Sequence, residues 1–148
     1  MNTCGECLAG YGSRVVGSSN SRCAYSFTAP YSFKEDTNGS PFKEVDVGDY
    51  SYIAFFDANG DGLMDVFIGE YDGNINYFRN DGTSTTPSFV EDTAGNPFIG
   101  VNVGITSTIA FFDANDDGLM DAFIGERDGN INFFRNDGTS TTPSFVED

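Results

Sequence analysis

Two stretches of this chain set oxygen-bearing side chains at alternating positions around glycine: Asp57-Ala-Asn59-Gly-Asp61-Gly-Leu63-Met-Asp65 and Asp113-Ala-Asn115-Asp-Asp117-Gly-Leu119-Met-Asp121. Each offers side-chain oxygens at loop positions 1, 3, 5 and 9 and a backbone carbonyl, that of Leu63 or Leu119, at position 7. Alternation lets successive side chains turn toward one centre, and the glycine after the third oxygen permits a sharp bend. The chemistry of such a loop is cation binding. Ca2+ takes roughly six to eight oxygens at about 2.3–2.6 Å, and flexible loops of this kind supply them. Mg2+ prefers a stiffer octahedron with several waters, and the loops hold no thiolate or imidazole for Zn2+. The spacing is not a full EF-hand, which needs a bidentate Glu at position 12, where Ile68 and Ile124 stand. The competing reading is a pair of plain solvated turns, for which Asp, Asn and Gly are also common. Against it, aspartates held within about 5 Å repel by roughly 1 kcal/mol per pair in water, and the arrangement occurs twice.

The elements that carry these loops repeat with them. Residues 53–92 and 109–148 are the same sequence at an offset of 56, with four differences: Gly60/Asp116, Val66/Ala122, Tyr71/Arg127 and Tyr77/Phe133. A period of this order points to solenoids, propellers or arrays, because a single unit cannot bury its own apolar face. Within a unit the pattern predicts four short strands. Ile53–Phe56 leads into the aspartate loop and Val66–Ile68 leaves it, followed by Asn74–Phe78, a polar loop and Ser88–Val90. Asp72-Gly73, repeated as Asp128-Gly129, reads as a hairpin of type I′, which needs positive φ at both central residues. The loops Asn80–Pro87 and Asn136–Pro143 are too rich in Gly, Pro and hydroxyl residues for regular structure.

The period extends backwards. Phe33-Lys-Glu-Asp-Thr37 and Pro41-Phe42 match Phe89–Thr93 and Pro97-Phe98, and Val16–Tyr25 aligns with Ile68–Tyr77 after a four-residue deletion, as a decayed unit without the loop. The organisation expected is therefore a Cys-containing segment over residues 1–30, a first repeat with its preceding strand over 31–92, and a second repeat over 93–148. No segment has sustained helical periodicity. The fold expected is all-β: four-stranded antiparallel propeller-type blades in tandem, two full and one degenerate, forming an incomplete propeller or open array.

Composition narrows the partners. The net charge is -16, from 23 acidic and 7 basic residues, which repels nucleic-acid phosphates and anionic membrane surfaces and favours cations. With 15 Phe and 7 Tyr the chain is too aromatic for a disordered acidic tail. No apolar stretch approaches the ~20 residues of a membrane span, so membrane insertion is not expected. No basic region followed by an apolar run marks a targeting signal.

The stretch Phe55-Phe-Asp-Ala-Asn-Gly-Asp-Gly-Leu-Met-Asp-Val-Phe-Ile-Gly69, followed by Gly73-Asn-Ile-Asn-Tyr-Phe-Arg-Asn80, resembles the FG-GAP/VCBS repeat family. Repeats of that family build integrin α-type β-propellers and many microbial extracellular proteins. The resemblance implies one four-stranded blade per repeat and Ca2+ between the first two strands, about one ion per full repeat. Position by position, Asp57, Asn59, Asp61, Asp65 and the Leu63 carbonyl would be ligands, as would Asp113, Asn115, Asp117, Asp121 and the Leu119 carbonyl. It also implies an extracellular or cell-surface setting. The match is good over 51–148, partial over 31–50 and absent over the first 30 residues.

Other constellations are weaker. The chain has no His, which removes the usual base for a Ser or Cys nucleophile. Glu70 with Asp72, or Glu126 with Asp128, could serve as a carboxylate pair but read better as strand-end and turn residues. Cys4, Cys7 and Cys23 are disulfide candidates with one thiol left over, or three thiolates of a zinc site lacking a fourth ligand, or free. Asn38 heads the one N-glycosylation sequon, and Thr83, Thr85, Thr86, Thr139, Thr141 and Thr142 are O-glycosylation candidates by composition. Tyr50, Tyr52 and Tyr71 are either a sugar-stacking platform or half-buried strand positions. Too few blades for closure, a sequence that stops at a strand boundary and a degenerate first unit together lead to the expectation of a non-enzymatic, calcium-stabilised structural protein that self-associates into an oligomer or filament. The alternative is an adhesion or glycan-binding module of a larger protein.

Overall fold

The structure, a computed structural model, describes residues 33–148. The chain divides into two compact units, Met1–Asp36 and Thr37–Asp148. Of the first, only residues 33–36 are described, and they carry no strand. The three cysteines and the decayed repeat at Val16–Tyr25 lie outside the described residues. Phe89, the copy of Phe33, pairs with Asn80, and the position that would pair with Phe33 lies outside the described residues.

The second unit is all-β and consists of two four-stranded antiparallel sheets. The first contains β1 (Tyr52–Phe56), β2 (Asp65–Gly69), β3 (Ile75–Asn80) and β4 (Phe89–Glu91) in the order β1-β2-β3-β4. The second contains β5 (Thr108–Phe112), β6 (Asp121–Gly125), β7 (Ile131–Asn136) and β8 (Phe145–Glu147) in the order β5-β6-β7-β8. Registers coincide at the repeat offset: Phe55 opposes Val66 as Phe111 opposes Ala122, and Asn80 opposes Phe89 as Asn136 opposes Phe145. These are two propeller-type blades in tandem, an incomplete propeller-like array. All four strands expected per repeat are present, displaced by one or two residues at their ends.

The hairpin at Asp72-Gly73 differs in type. The turn runs from Glu70 to Gly73, closed by the Gly73 N–H donating to the Glu70 carbonyl at 3.2 Å, and only Gly73 of its two central candidates has positive φ, at 89°. A longer connection of this kind lets Glu70 serve as the clamp of the turn. Its carboxylate accepts from the Asp72 and Asn74 N–H groups at 2.7 and 3.3 Å and from the Asn74 side-chain amide at 2.6 Å. Glu126 clamps the second turn in the same way.

Each blade has two apolar faces, since successive strand residues alternate sides. In blade one, Val66, Ile68 and Phe78 form one face, covered by Phe42 and Val47 from the preceding segment. Phe67, Ile75 and Tyr77 form the other, which packs with Phe98, Ile109, Ala122, Ile124 and Phe134 into the larger core between the blades. The incoming segment of each repeat thus lays a phenylalanine over its own blade. Phe42 lies edge-on to Phe78 at 6.2 Å and stacks on Phe89 at 4.6 Å, and Phe98 treats Phe134 and Phe145 alike at 5.9 and 4.5 Å. Burying side chains of this size contributes roughly 1.5–3 kcal/mol each, so the junction between the blades is the main store of stability.

Candidate metal centre

The aspartate loops lie between the first and second strands of each blade, at residues 57–64 and 113–120. Each is folded by its own side chains. Asp57 accepts the Gly60 N–H on Oδ1 at 2.8 Å and the Gly62 N–H on Oδ2 at 2.9 Å, which coils the loop around its first carboxylate. Asn59 Oδ1 accepts from the Asp61 N–H and Asp61 Oδ1 from the Leu63 N–H, at 2.9 and 2.8 Å. The second loop repeats three of these contacts, and its Asp113 Oδ1 accepts the Asp117 N–H at 3.2 Å. The Gly118 N–H donates to Asp113 Oδ2, the Asp117 N–H to Asn115 Oδ1 and the Leu119 N–H to Asp117 Oδ1, within 2.8–3.0 Å. The bend also needs positive φ, which Gly60, Gly62 and Gly118 supply readily and Asp116 adopts at 60°.

The ninth position behaves differently. Asp65 and Asp121 are fully buried at the first residues of β2 and β6. Asp65 Oδ1 accepts the Asn80 N–H at 2.8 Å, while Oδ2 accepts the Ala58 N–H at 3.1 Å and the Tyr77 hydroxyl at 3.0 Å. It ties the start of the loop to the end of β3. Asp121 accepts from the Asn136 and Ala114 N–H groups at 2.8 and 3.0 Å, without a hydroxyl, because Phe133 replaces Tyr77. Burial pushes the Asp65 carboxyl above its usual range, the hydrogen bonds from Asn80, Ala58 and Tyr77 oppose this, and the negative charge of Asp61 adds to the rise. The same burial, with Asp65 beside it, pushes the Tyr77 phenol above its ordinary value.

Asp57, Asn59, Asp61 and the Leu63 carbonyl, with their copies Asp113, Asn115, Asp117 and Leu119, thus share one exposed loop, whereas Asp65 and Asp121 are drawn inward. Among the described residues no three acidic, Cys or His side chains converge as a metal-holding group. In kind, the oxygen-only donor set fits a hard divalent cation such as Ca2+. A carboxylate offers about four acceptor directions. Asp65 has three in use, so Asp57, Asn59, Asp61 and the Leu63 carbonyl would do most of the holding.

The remaining candidates spread over the surface. Asn38 is exposed, as are Thr83, Thr85, Thr86, Thr139, Thr141 and Thr142. Their loops are built rather than slack: Asn80 Oδ1 accepts from the Gly82 and Ser88 N–H groups, both at 3.1 Å, and Thr83 and Thr86 bond each other through their backbones. Of the three tyrosines, Tyr50 and Tyr71 meet, with ring centroids 5.8 Å apart. Tyr71 also lines a surface cavity of about 450 Å³ together with Asp46, Asp49, Glu70 and Asp72. Sequence reasoning missed this cavity and the turn clamp. The signal for the clamp was present, because Glu70 and Asn74 recur as Glu126 and Asn130.

A family model described as FG-GAP-like repeat matches residues 57–124. That segment is an FG-GAP-like repeat. The match starts at the first oxygen of the first loop, crosses the junction between the blades and ends in β6, so it takes in both loops. Searches of curated proteins and of solved structures give no match to the chain.

Proposed function

We propose that this FG-GAP-like repeat chain is a non-enzymatic, calcium-binding structural protein of the extracellular or cell-surface setting, which self-associates into an oligomer or filament. One observation carries the reading: two loops 56 residues apart are coiled by the same oxygen atoms through the same contacts. A hairpin that needed only to reverse the chain would not require four acidic or amide oxygens at matched positions. Bound at both loops, two divalent ions would cancel four of the sixteen excess negative charges. Extracellular modules of this type bind with Kd on the order of 10⁻⁴–10⁻³ M, which suits millimolar calcium outside cells. Calorimetric titration tests it. The wild-type chain should bind two Ca2+, Asp61→Ala and Asp117→Ala one each, and the double variant none. Equal heats in all four proteins would remove calcium from the proposal.

A second reading, glycan binding, is favoured by the Tyr50–Tyr71 pair beside the acidic cavity. Ring faces pack on sugar C–H groups while carboxylates bind hydroxyls. Glycan-array binding that is abolished by Tyr71→Ala would support it over assembly.

A further inference from the structure

The junction inside this chain is a template for a junction between chains. Blade one presents its Phe67 face to blade two, and blade two receives it with Ile109 and Phe111. At the repeat offset, Ile53 and Phe55 are the copies of the receiving pair, and Phe112 and Ile131 the copies of Phe56 and Ile75 on the presenting face. Ile109 is 6% exposed but Ile53 52%; Ile75 is 3% exposed but Ile131 72%. The two outer faces of the unit are therefore the two halves of a contact the chain already makes once.

The backbone agrees. Across the inner junction the Ser107 hydroxyl lies 3.3 and 3.2 Å from the carbonyls of Glu70 and Asn74, and the N–H groups of Val103 and Thr106 donate to the carbonyls of Gly73 and Tyr71. This close approach is possible because Gly69 and Gly73 lack side chains: a Cβ on either would stand 2.2 Å from the carbonyl oxygen of Ser107 or Gly104. Their copies Gly125 and Gly129 are open, with only Thr108 Cγ2 at 3.4 Å from the former and nothing near the latter. The docking loop has its copy as well. Residues 46–51 hold the shape of residues 102–107, with Gly48 and Tyr50 at φ 94° and 55° against Gly104 and Thr106 at 104° and 62°.

We infer that the β6–β7 face of one chain docks the segment 46–55 of a second copy, reproducing the inner junction with Phe112 stacked on the partner copy's receiving strand as Phe56 stacks on Phe111 at 4.8 Å. The contact is heterologous and head-to-tail, so it propagates into a ring or a filament. This inference rests on the self-association in the proposed function and assigns its surface. One corner differs. Gly60 lies against Thr141, where a Cβ would stand 2.3 Å from Cγ2, and the copy of Gly60 is Asp116. Asp116 therefore loosens the contact between chains relative to the one within the chain.

Light scattering across a concentration series, on the full chain with calcium, tests the inference. The wild type should assemble. Gly125→Ala, whose new methyl meets only Thr108 within the chain, should raise the concentration needed by at least about tenfold, the equivalent of 1.4 kcal/mol, with the melting temperature of the dilute chain unchanged. Asp116→Gly should lower that concentration. A photoreactive benzoylphenylalanine at position 112 should cross-link to residues 46–55 of another chain. A wild type that stays monomeric at every concentration overturns both the self-association and the inference. Assembly undiminished in Gly125→Ala, with cross-links mapping elsewhere, overturns the assigned surface and leaves self-association standing.

Discussion

Asp65, a candidate ligand by sequence, also works as a strut in the fold. Its carboxylate has no solvent exposure and collects two backbone N–H groups and a phenol from the loop and from β3. Removing it would orphan the Asn80 and Ala58 N–H groups in the interior, and orphaned buried donors are costly. Asp65→Ala should destabilise the chain by about 3–5 kcal/mol in denaturant unfolding, whereas Tyr77→Phe should cost only about 1–2 kcal/mol, because it recreates the Asp121–Phe133 arrangement that blade two already tolerates. If Asp65→Ala costs no more than an exposed Asp61→Ala, the strut role is wrong. The clamp at Glu126 makes a different prediction. Hydrogen bonds from the Asp128 and Asn130 N–H groups hold its carboxyl below the usual glutamate range, against burial, with further help from the Asn130 amide and Arg127. A carboxyl whose folded pKa is depressed contributes stability above its unfolded pKa, and that contribution is lost as pH falls through the folded value. Amide exchange at Asp128 and Asn130 should therefore keep its protection above the ordinary glutamate pKa of 4.5 and lose it as pH falls below that value. In Glu126→Gln the acid dependence should vanish.

At the scale of strands and loops, the repeated blades put identical sequence into unequal surroundings, and glycine reports the difference. Gly69 in β2 is pressed against the Ser107 backbone, while Gly125 in β6 is not. Gly69→Ala should thus lower the melting temperature of the chain markedly, by the several degrees that a 1–3 kcal/mol overpacking cost implies, and Gly125→Ala should leave it almost unchanged. Equal melting temperatures for the two variants would mean that the blades do not meet at Gly69. Such an inequality is invisible in the sequence, where Asp-Val-Phe-Ile-Gly and Asp-Ala-Phe-Ile-Gly read alike. What was legible there is what the local chain decides: the short apolar runs Ile53–Phe56 and Val66–Ile68 and the punctuation by Asp and Gly marked four strands per repeat. Less legible were the turn at Asp72-Gly73, where the type I′ reading yields to the grip of Glu70 on Asn74, and the inward position of Asp65, whose partner Asn80 stands far along the chain at the end of β3. The loop oxygens at positions 1, 3 and 5 were legible because their contacts are with residues two to five positions away.

For the whole molecule, the dominant fact is the charge of -16 on 148 residues. Among the described residues the ion pairs that relieve it are largely exposed: Arg79 holds Asp81 and Asp92, Arg127 lies beside Asp128, and Arg135 holds Asp137 and Asp148. Pairs this accessible are screened by solvent and add little to stability. Self-repulsion is therefore left for ions to offset, and two kinds of offset can be separated. Monovalent salt screens without binding and should raise the melting temperature modestly and smoothly. Calcium held at two sites adds RT ln(1 + [L]/Kd) at each, which for 1 mM ion and a Kd near 10⁻⁴ M is about 1.4 kcal/mol per site, or about 10 °C together for a domain of this size. Thermal melts in 1 mM CaCl2 against NaCl matched in ionic strength should differ by that margin. The difference should shrink by about half in Asp61→Ala or Asp117→Ala and disappear in the double variant. Melts that coincide in the two salts would show that the loops respond to ionic strength alone, and the identical coils at residues 57–64 and 113–120 would then be turns held by their own hydrogen bonds, with no ion in their work.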